Sequence, residues 1–266
     1  MAQPTVERVK AFWEQNPLSA EMIPFEPGTP EFFREHERLR RDSEPAWVHE
    51  ELYEAERHAG KRLLDIGCGT GYVAALYARG GAQVTAVDLA EKSVELTRKR
   101  LAYLSLKATV QVANAEQLPF PDAAFDVVSS FGVLHHTPDT ARALREVHRV
   151  LVPGGKALLM FYNRDSFAYR VLFPSKRLLQ PAWRGKSADD QVNAVDGMTN
   201  PLGKVFTRKE LRGLMPGFTN FEFNTWELFF HHANKIPRPL RDFMAARWGW
   251  FLYIKAVKSG VPDRRE

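Results

Sequence analysis

Leu63-Leu64-Asp65-Ile66-Gly67-Cys68-Gly69-Thr70-Gly71 is the stretch that decides the fold. A short apolar strand runs into three alternating glycines, and a helical pattern opens behind them. Glycines are needed there because the backbone must turn sharply and let a ligand come close. Loops of this kind serve NAD, FAD and other nucleotides, so the loop alone does not choose among them. Two details discriminate. Tyr72 stands where a dinucleotide fingerprint wants another glycine, and Asp65 precedes the loop. A diphosphate beside that acid would be repelled, whereas a cationic cofactor would not. Asp88 ends the next apolar run, well placed to accept hydrogen bonds from ribose hydroxyls.

Working outward, short apolar runs alternate with helical patterns, the signature of βαβ units on a parallel sheet. The runs fall at 62–67, 83–89, 109–114, 125–130 and 156–161, with helices expected at 71–79, 90–104 and 139–150. In the last helix Ala143, Leu144, Val147 and Val150 share a face, and Pro153-Gly154-Gly155 reads as its terminator and turn. Runs this apolar are buried on both faces. Further on, Thr207 and Glu210 form a capping box, and two more strands are expected at 218–228 and 250–258, joined by a Pro/His-rich connection.

The flanks have another texture. Residues 1–60 are charged and aromatic, and suggest two or three short helices linked by an extended loop. Residues 162–206 break the βα rhythm with Pro174, Pro181 and several glycines. The whole chain of 266 residues is 44% hydrophobic and 26% charged, which rules out collagen-like, disulfide-scaffold and wholly disordered classes. A net charge of +5 without a dense basic block does not make a nucleic-acid binder. With Cys68 as the only cysteine, an internal disulfide and a cysteine metal cluster are excluded, which fits a reducing cytosol. The N-terminus lacks a signal-peptide pattern, and no apolar run reaches the roughly 18 residues of a membrane span, so a cytoplasmic protein is expected. His231, His232 and His148 lack metal-ligand spacing, so no metal is expected.

These motifs resemble the class I S-adenosylmethionine-dependent methyltransferases, of the group that includes the ubiquinone/menaquinone-biosynthesis enzymes. LLDIGCGTG resembles the family's first motif and VDLA its acidic ribose loop. NAEQLPFPDAAFDVVSSFGVLHHTPD resembles its adenine turn and fourth strand, and RVLVPGGKALLM the approach to the fifth. The likeness covers roughly residues 61–162. It implies a three-layer, Rossmann-like α/β fold on a seven-stranded sheet, mostly parallel, with the last strand inserted antiparallel. It also implies a division into an N-terminal helical lid (1–60), a cofactor-binding core (61–161), an inserted substrate cap (162–206), the rest of the sheet (207–258) and a tail (259–266).

By the same resemblance, Gly67, Gly69 and Gly71 would line the methionine moiety of S-adenosylmethionine, and Asp88 would take the ribose hydroxyls. Asn114 and Ala115 would face adenine, and Asp65 would orient the amino group. Cys68, Leu89, Glu116 and Ser130 belong to the same expected cofactor set, Cys68 as a small buried residue. The family's adenine turn usually reads Asp-Ala-Glu, and here Asn114 replaces the aspartate.

Methyl transfer from a sulfonium is an in-line displacement in which positioning and exclusion of water supply much of the rate. A base is needed only when the nucleophile arrives protonated. His135 is the better substrate-facing candidate, His136 is expected to order its loop, and Tyr162, at the end of the fifth strand, would either touch the acceptor or place its ring over the sheet edge. The turn cluster 196–202 would close over the acceptor, as would Phe12, Trp13, Phe25, Phe32 and Phe33, while Arg40 or Arg41 would pair with the cofactor carboxylate. The expected reaction is methylation of a small molecule on oxygen, nitrogen or carbon. The rivals are a lipid or quinone acceptor, served by segments 168–173 and 226–230, and a non-catalytic protein that binds S-adenosylmethionine. An NAD-dependent oxidoreductase is disfavoured by Tyr72 and Asp65.

Overall fold

The structure, a computed structural model, describes residues 4–17, 23–228 and 236–260. The chain opens with helices α1 (Val6–Gln15) and α2 (Pro30–Ser43), then a π-helical turn over Val48–Tyr53 and a 3-10 turn over Ala55–His58. Thr29 caps α2 by accepting the Phe32 N–H, and Pro30 sits in its first turn, where a missing N–H costs nothing.

The core follows as β1 (Arg62–Ile66), α3 (Tyr72–Arg79), β2 (Gln83–Asp88), α4 (Glu91–Tyr103), β3 (Thr109–Val112), β4 (Phe125–Phe131), α5 (Thr140–Val150) and β5 (Leu151–Asn163). The insert carries α6 (Phe173–Leu179), α7 (Ala188–Asn193) and a two-residue β6 (Val205–Phe206). The chain closes with α8 (Arg208–Leu214), β7 (Phe218–Trp226), α9 (Arg238–Trp248) and β8 (Phe251–Lys258).

The strands lie in the order β3-β2-β1-β4-β5-β8-β7, and β6 pairs with the far end of β5. The first five are parallel, and β8 enters antiparallel between β5 and β7. Chain order reverses between β1 and β4, which creates the crevice at the carboxyl ends of the strands where open α/β sheets bind ligands. Successive residues serve opposite faces. Leu63 packs with Val84, Tyr77 and Leu101 beneath α3 and α4, whereas Leu64 packs with Leu144, Val147 and Leu159 beneath α5.

Three details depart from the sequence reading. Pro153-Gly154-Gly155 does not precede the fifth strand but bulges within it, since the β4–β5 register jumps from Phe125↔Leu151 to Val127↔Lys156. The sheet gains an eighth strand, because β6 pairs with Tyr162 and Asn163 past the point where β4 ends. The Pro/His-rich connection contains α9, whose exposed Leu240 and Phe243 give no core-facing stripe to betray a helix. The capping box at Thr207 and Glu210 forms with both its hydrogen bonds. Among the described residues, no helix is long and apolar enough to cross a membrane.

Candidate active site

At the carboxyl ends of β1, β2, β4 and β5 lies a cavity of about 240 Å³. One wall is the glycine loop. Gly67 and Cys68 both donate their N–H to Val87 O, at 2.7 and 3.0 Å, which ties the turn to the end of β2. Gly67, Gly69 and Gly71 all have positive φ, so any side chain there would be strained. A Cβ on Gly67 would also lie 2.1 Å from Val133 Cγ2. Gly69 faces open space and lines the cavity, whereas Gly71 does not line it and packs instead against Thr97 of α4.

Asp88 lines the cavity. Its carboxylate accepts the N–H of Gly69 at 3.0 Å and of Ala90 at 2.9 Å, while burial raises its pKa. Leu89, Asn114, Ala115 and Glu116 continue the same wall. Asn114 Oδ1 accepts the Glu116 N–H at 2.9 Å and closes the turn on itself, and Glu116 accepts the Asp139 N–H at 2.7 Å. Asparagine keeps the acceptor oxygen that this turn uses and replaces the aspartate's second oxygen with a donor.

Four members of the expected cofactor set sit behind the wall. Gly71 supports the loop as described. Cys68 is buried, and its Sγ accepts the Thr97 hydroxyl at 3.2 Å. Burial pushes that thiol well above its ordinary pKa, which leaves it unreactive. Ser130 donates to Ile66 O at 3.0 Å. Asp65 is buried, with Oδ1 accepting the Ser129 hydroxyl at 2.8 Å and Oδ2 without a hydrogen-bond partner. Burial, reinforced by the nearby Asp88 charge, pushes its pKa up to about 7. An unpaired, buried carboxylate oxygen behind an open glycine cradle suits a cofactor that carries a positive charge. The residues therefore fit S-adenosylmethionine.

The opposite wall is aromatic, with Trp13, Tyr53, Phe131, Tyr162, Phe251 and Tyr253 facing inward. His136 reaches the cavity between these rings. Its Nδ1 lies 2.6 Å from Leu202 O, an oxygen that can only accept, so Nδ1 carries a proton and donates it there, while Nε2 is buried without a hydrogen-bond partner. Nε2 lies 3.5 Å from Asp196 Oδ2. Tyr162 donates its hydroxyl to both oxygens of Asp196, at 2.7 and 2.8 Å, and burial holds that phenol well above its ordinary pKa. Trp13 of α1 meets His136 edge-on, with ring centroids 5.2 Å apart.

His136, which ties down Leu202 as a loop-ordering residue would, is also the one of the two histidines that lines the cavity. The tight turn Leu134–His136 directs His136 into the cavity and folds His135 beneath it, against Tyr162 and Phe161. His135 is fully buried, does not line the cavity, and is held neutral by that burial. Consecutive positions cannot both face inward from one turn, and sequence gives no phase for a 3-10 turn. Asp196 was legible only as part of a turn cluster. Phe251 and Tyr253 looked like strand core, since a strand buried on both faces shows no alternation. Of the aromatic segment, Trp13 reaches the cavity, whereas Phe32 and Phe33 pack with Ile23 and Phe25 is exposed. Arg40 lines the cavity but is engaged by Glu44 and by the Tyr53 hydroxyl at 2.7 Å, and Arg41 pairs with Glu37 outside it. His231 and His232 lie outside the described residues. Among the described residues, no group of three or more His, Cys, Asp or Glu side chains is arranged to hold a metal ion.

The chain is similar to known proteins. A family model described as a methyltransferase domain matches residues 64–159. The ubiquinone biosynthesis O-methyltransferase of Pseudomonas aeruginosa is 37% identical over 168 residues, which is 56% of this chain and 72% of that enzyme. The 27-O-demethylrifamycin SV methyltransferase of Amycolatopsis mediterranei is 43% identical over 104 residues, which is 38% of each chain. Among solved structures, an S-adenosylmethionine-dependent methyltransferase from Thermotoga maritima superposes with a TM-score of 0.54 at 22% identity, over 94% of this chain and 100% of the other. The [4+2]-cyclase SpnF reaches 0.57 at 17% identity, over 97% and 98%. At such identities those two structures speak for the fold alone. The sequence relatives carry more, since the domain match lies over the strands that wall the cavity and the ubiquinone enzyme aligns along most of its length. This chain belongs to the class I S-adenosylmethionine-dependent methyltransferases.

Proposed function

We propose that the enzyme methylates a hydroxyl group on a small, ring-containing acceptor, with His136 as the base. The observation that carries this reading is the orientation of His136. Its Nδ1–H is fixed on Leu202 O, which turns Nε2, buried and without a hydrogen-bond partner, towards the Asp196 carboxylate in the cavity wall, so that an acceptor must press between the lining rings to reach it. An acceptor hydroxyl that donates to Nε2 hands its proton to an imidazole, and the resulting cation is favoured by the neighbouring carboxylate. Tyr162 and Asn200 hold that carboxylate in place, the latter at 3.4 Å. An amine that arrives deprotonated would need no such base.

When bound, S-adenosylmethionine supplies a methyl group on a sulfonium, an already activated leaving group. Gly67 and Gly69 would admit its methionine end, Asp65 would attract its ammonium, and Asp88 would accept from its ribose, with Leu89, Asn114, Ala115 and Glu116 around adenine. Six inward-facing rings give an acceptor ring apolar faces on which to stack, and they exclude the water that would compete for the hydroxyl. The names of both sequence relatives place the methyl on oxygen, which agrees with a base at this position.

The test offers the protein S-adenosylmethionine with phenols, catechols and amines of matched size and follows formation of S-adenosylhomocysteine. Hydroxylated rings should turn over. Turnover of amines with none of hydroxyls would overturn the reading.

A further inference from the structure

Helix α1 presents three faces to three parts of the site. Val6, Val9 and Trp13 lie one or two turns apart on one face and line the cavity. Phe12 points towards the cap, where a Cβ on Gly197 would come within 3.4 Å of its ring. The third face carries Lys10 and Glu14, four residues apart, and meets the start of α4. Lys10 pairs with Glu91 at 3.0 Å in an exposed bridge worth little.

Glu14 does more. The first residues of a helix leave N–H groups unpaired, and a side chain at the N-cap normally accepts one of them. The N-cap of α4 is Ala90, which has no such group. Glu14 supplies it from 77 positions away, with Oε1 accepting the Glu91 N–H at 2.7 Å and Oε2 the Lys92 N–H at 2.9 Å. Its negative charge also suits the positive end of the α4 dipole. The loop that leads into α4 follows Asp88, the last residue of β2, which grips Gly69 and Ala90 on its other side. One carboxylate thus joins the helix that covers the cavity to the loop that would hold the ribose.

We propose that Glu14 is a positioning residue that latches α1 over the bound cofactor and sets how fast the cofactor and its demethylated product leave. This rests on the assignment of the cavity to S-adenosylmethionine. The covering helix also touches His136 through Trp13. Opening the latch therefore frees the cofactor and loosens the acceptor wall together, which ties product release to recharging of the site.

The experiment measures release of S-adenosylhomocysteine from the full chain by stopped flow, for wild type, Glu14→Ala, Glu14→Asp, and Glu14→Ala combined with Ala90→Ser. Loss of two charge-assisted hydrogen bonds should speed release about tenfold in Glu14→Ala. Aspartate should restore part of the slow rate. The serine gives α4 a local cap without rebuilding the latch, so the double variant should regain thermal stability and still release quickly. Slow release in the double variant would show that capping of α4 alone matters and would overturn the proposal, as would an unchanged rate in Glu14→Ala. Wild type that fails to bind S-adenosylhomocysteine would bring down the cofactor assignment and the latch together, whereas binding with an unaltered rate brings down only the latch. Should the variants fail to fold, trypsin cleavage of wild type at Arg8 and Lys10 decides. S-adenosylhomocysteine should slow it, and no slowing would contradict a closing lid.

Discussion

The two walls of the cavity are built on different principles. On the cofactor side, polar groups are held by backbone: Asp88 accepts two amides, Asn114 closes its own turn, and the glycine loop hangs from Val87 O. Each depends on residues close in sequence or on the adjacent strand. On the acceptor side, side chains reach across from distant segments: Tyr162 and Asn200 grip Asp196, His136 holds the backbone carbonyl of Leu202, and Trp13 closes over His136. A wall made by backbone is fixed by the fold and serves one ligand well. A wall made by side chains across an insert can change its occupant without disturbing the sheet. The likeness to a [4+2]-cyclase at the level of fold makes the same point, since fold does not settle chemistry.

The largest effect expected from this contrast falls on the acceptor wall. His136→Ala should lower turnover of a hydroxyl acceptor about 10²- to 10⁴-fold, with affinity for S-adenosylhomocysteine nearly unchanged, as steady-state kinetics and calorimetry would show. A loss of only a few-fold would remove His136 from the chemistry.

Next comes the cofactor wall. Gly67→Ala forces a Cβ into Val133 at a residue with φ of +78°, so cofactor affinity should fall about 100-fold from strain and overlap together. Adding Val133→Ala should recover only part of it, because the backbone strain stays. Full recovery would mean that overlap alone mattered.

Asp88→Ala should cost about tenfold in cofactor affinity, the size of one or two charge-assisted hydrogen bonds. Equal affinity would move the ribose elsewhere.

The smallest effect is a pH dependence at Asp65. Burial raises its folded pKa to about 7, above the ordinary carboxyl value, so the native state holds a proton that the unfolded chain has lost. This contribution favours the fold most at low pH and is lost as pH rises through about 7. A cofactor ammonium reverses the preference, because it favours the charged carboxylate. Affinity should therefore weaken as pH falls below about 7, with proton release on binding. Asp65→Asn should melt a few degrees higher at pH 8 and lose that pH dependence of affinity. Wild-type affinity that stays flat across the range would separate Asp65 from the ammonium.

The contrast between the walls also explains what could be read before the structure. Leu63 to Gly71, Asp88 and Asn114 were legible because local chemistry dictates them: a glycine at positive φ or an acid at a strand end has few other reasons to be there. The sheet was legible for the same reason, apart from the bulge at residues 152–155 and the short β6. The acceptor wall was not. Asp196 meets His136 only after a long insert returns to the sheet, and whether His135 or His136 turns inward depends on the phase of a three-residue turn. Gly71, Cys68 and Ser130 carry the cofactor motif's pattern yet serve its packing, a difference that spacing cannot express.

The most direct measurement supplies S-adenosylmethionine with a ¹³C-labelled methyl group to the enzyme and a fractionated cell extract, with heat-denatured enzyme as the blank. The account predicts label in the small-molecule fraction, with the chemical shift of a methyl bound to oxygen. A lipid-fraction methyl ether would keep the chemistry and enlarge the acceptor. Label on nitrogen or carbon, label in protein or nucleic acid, or no label while cofactor is bound would contradict it.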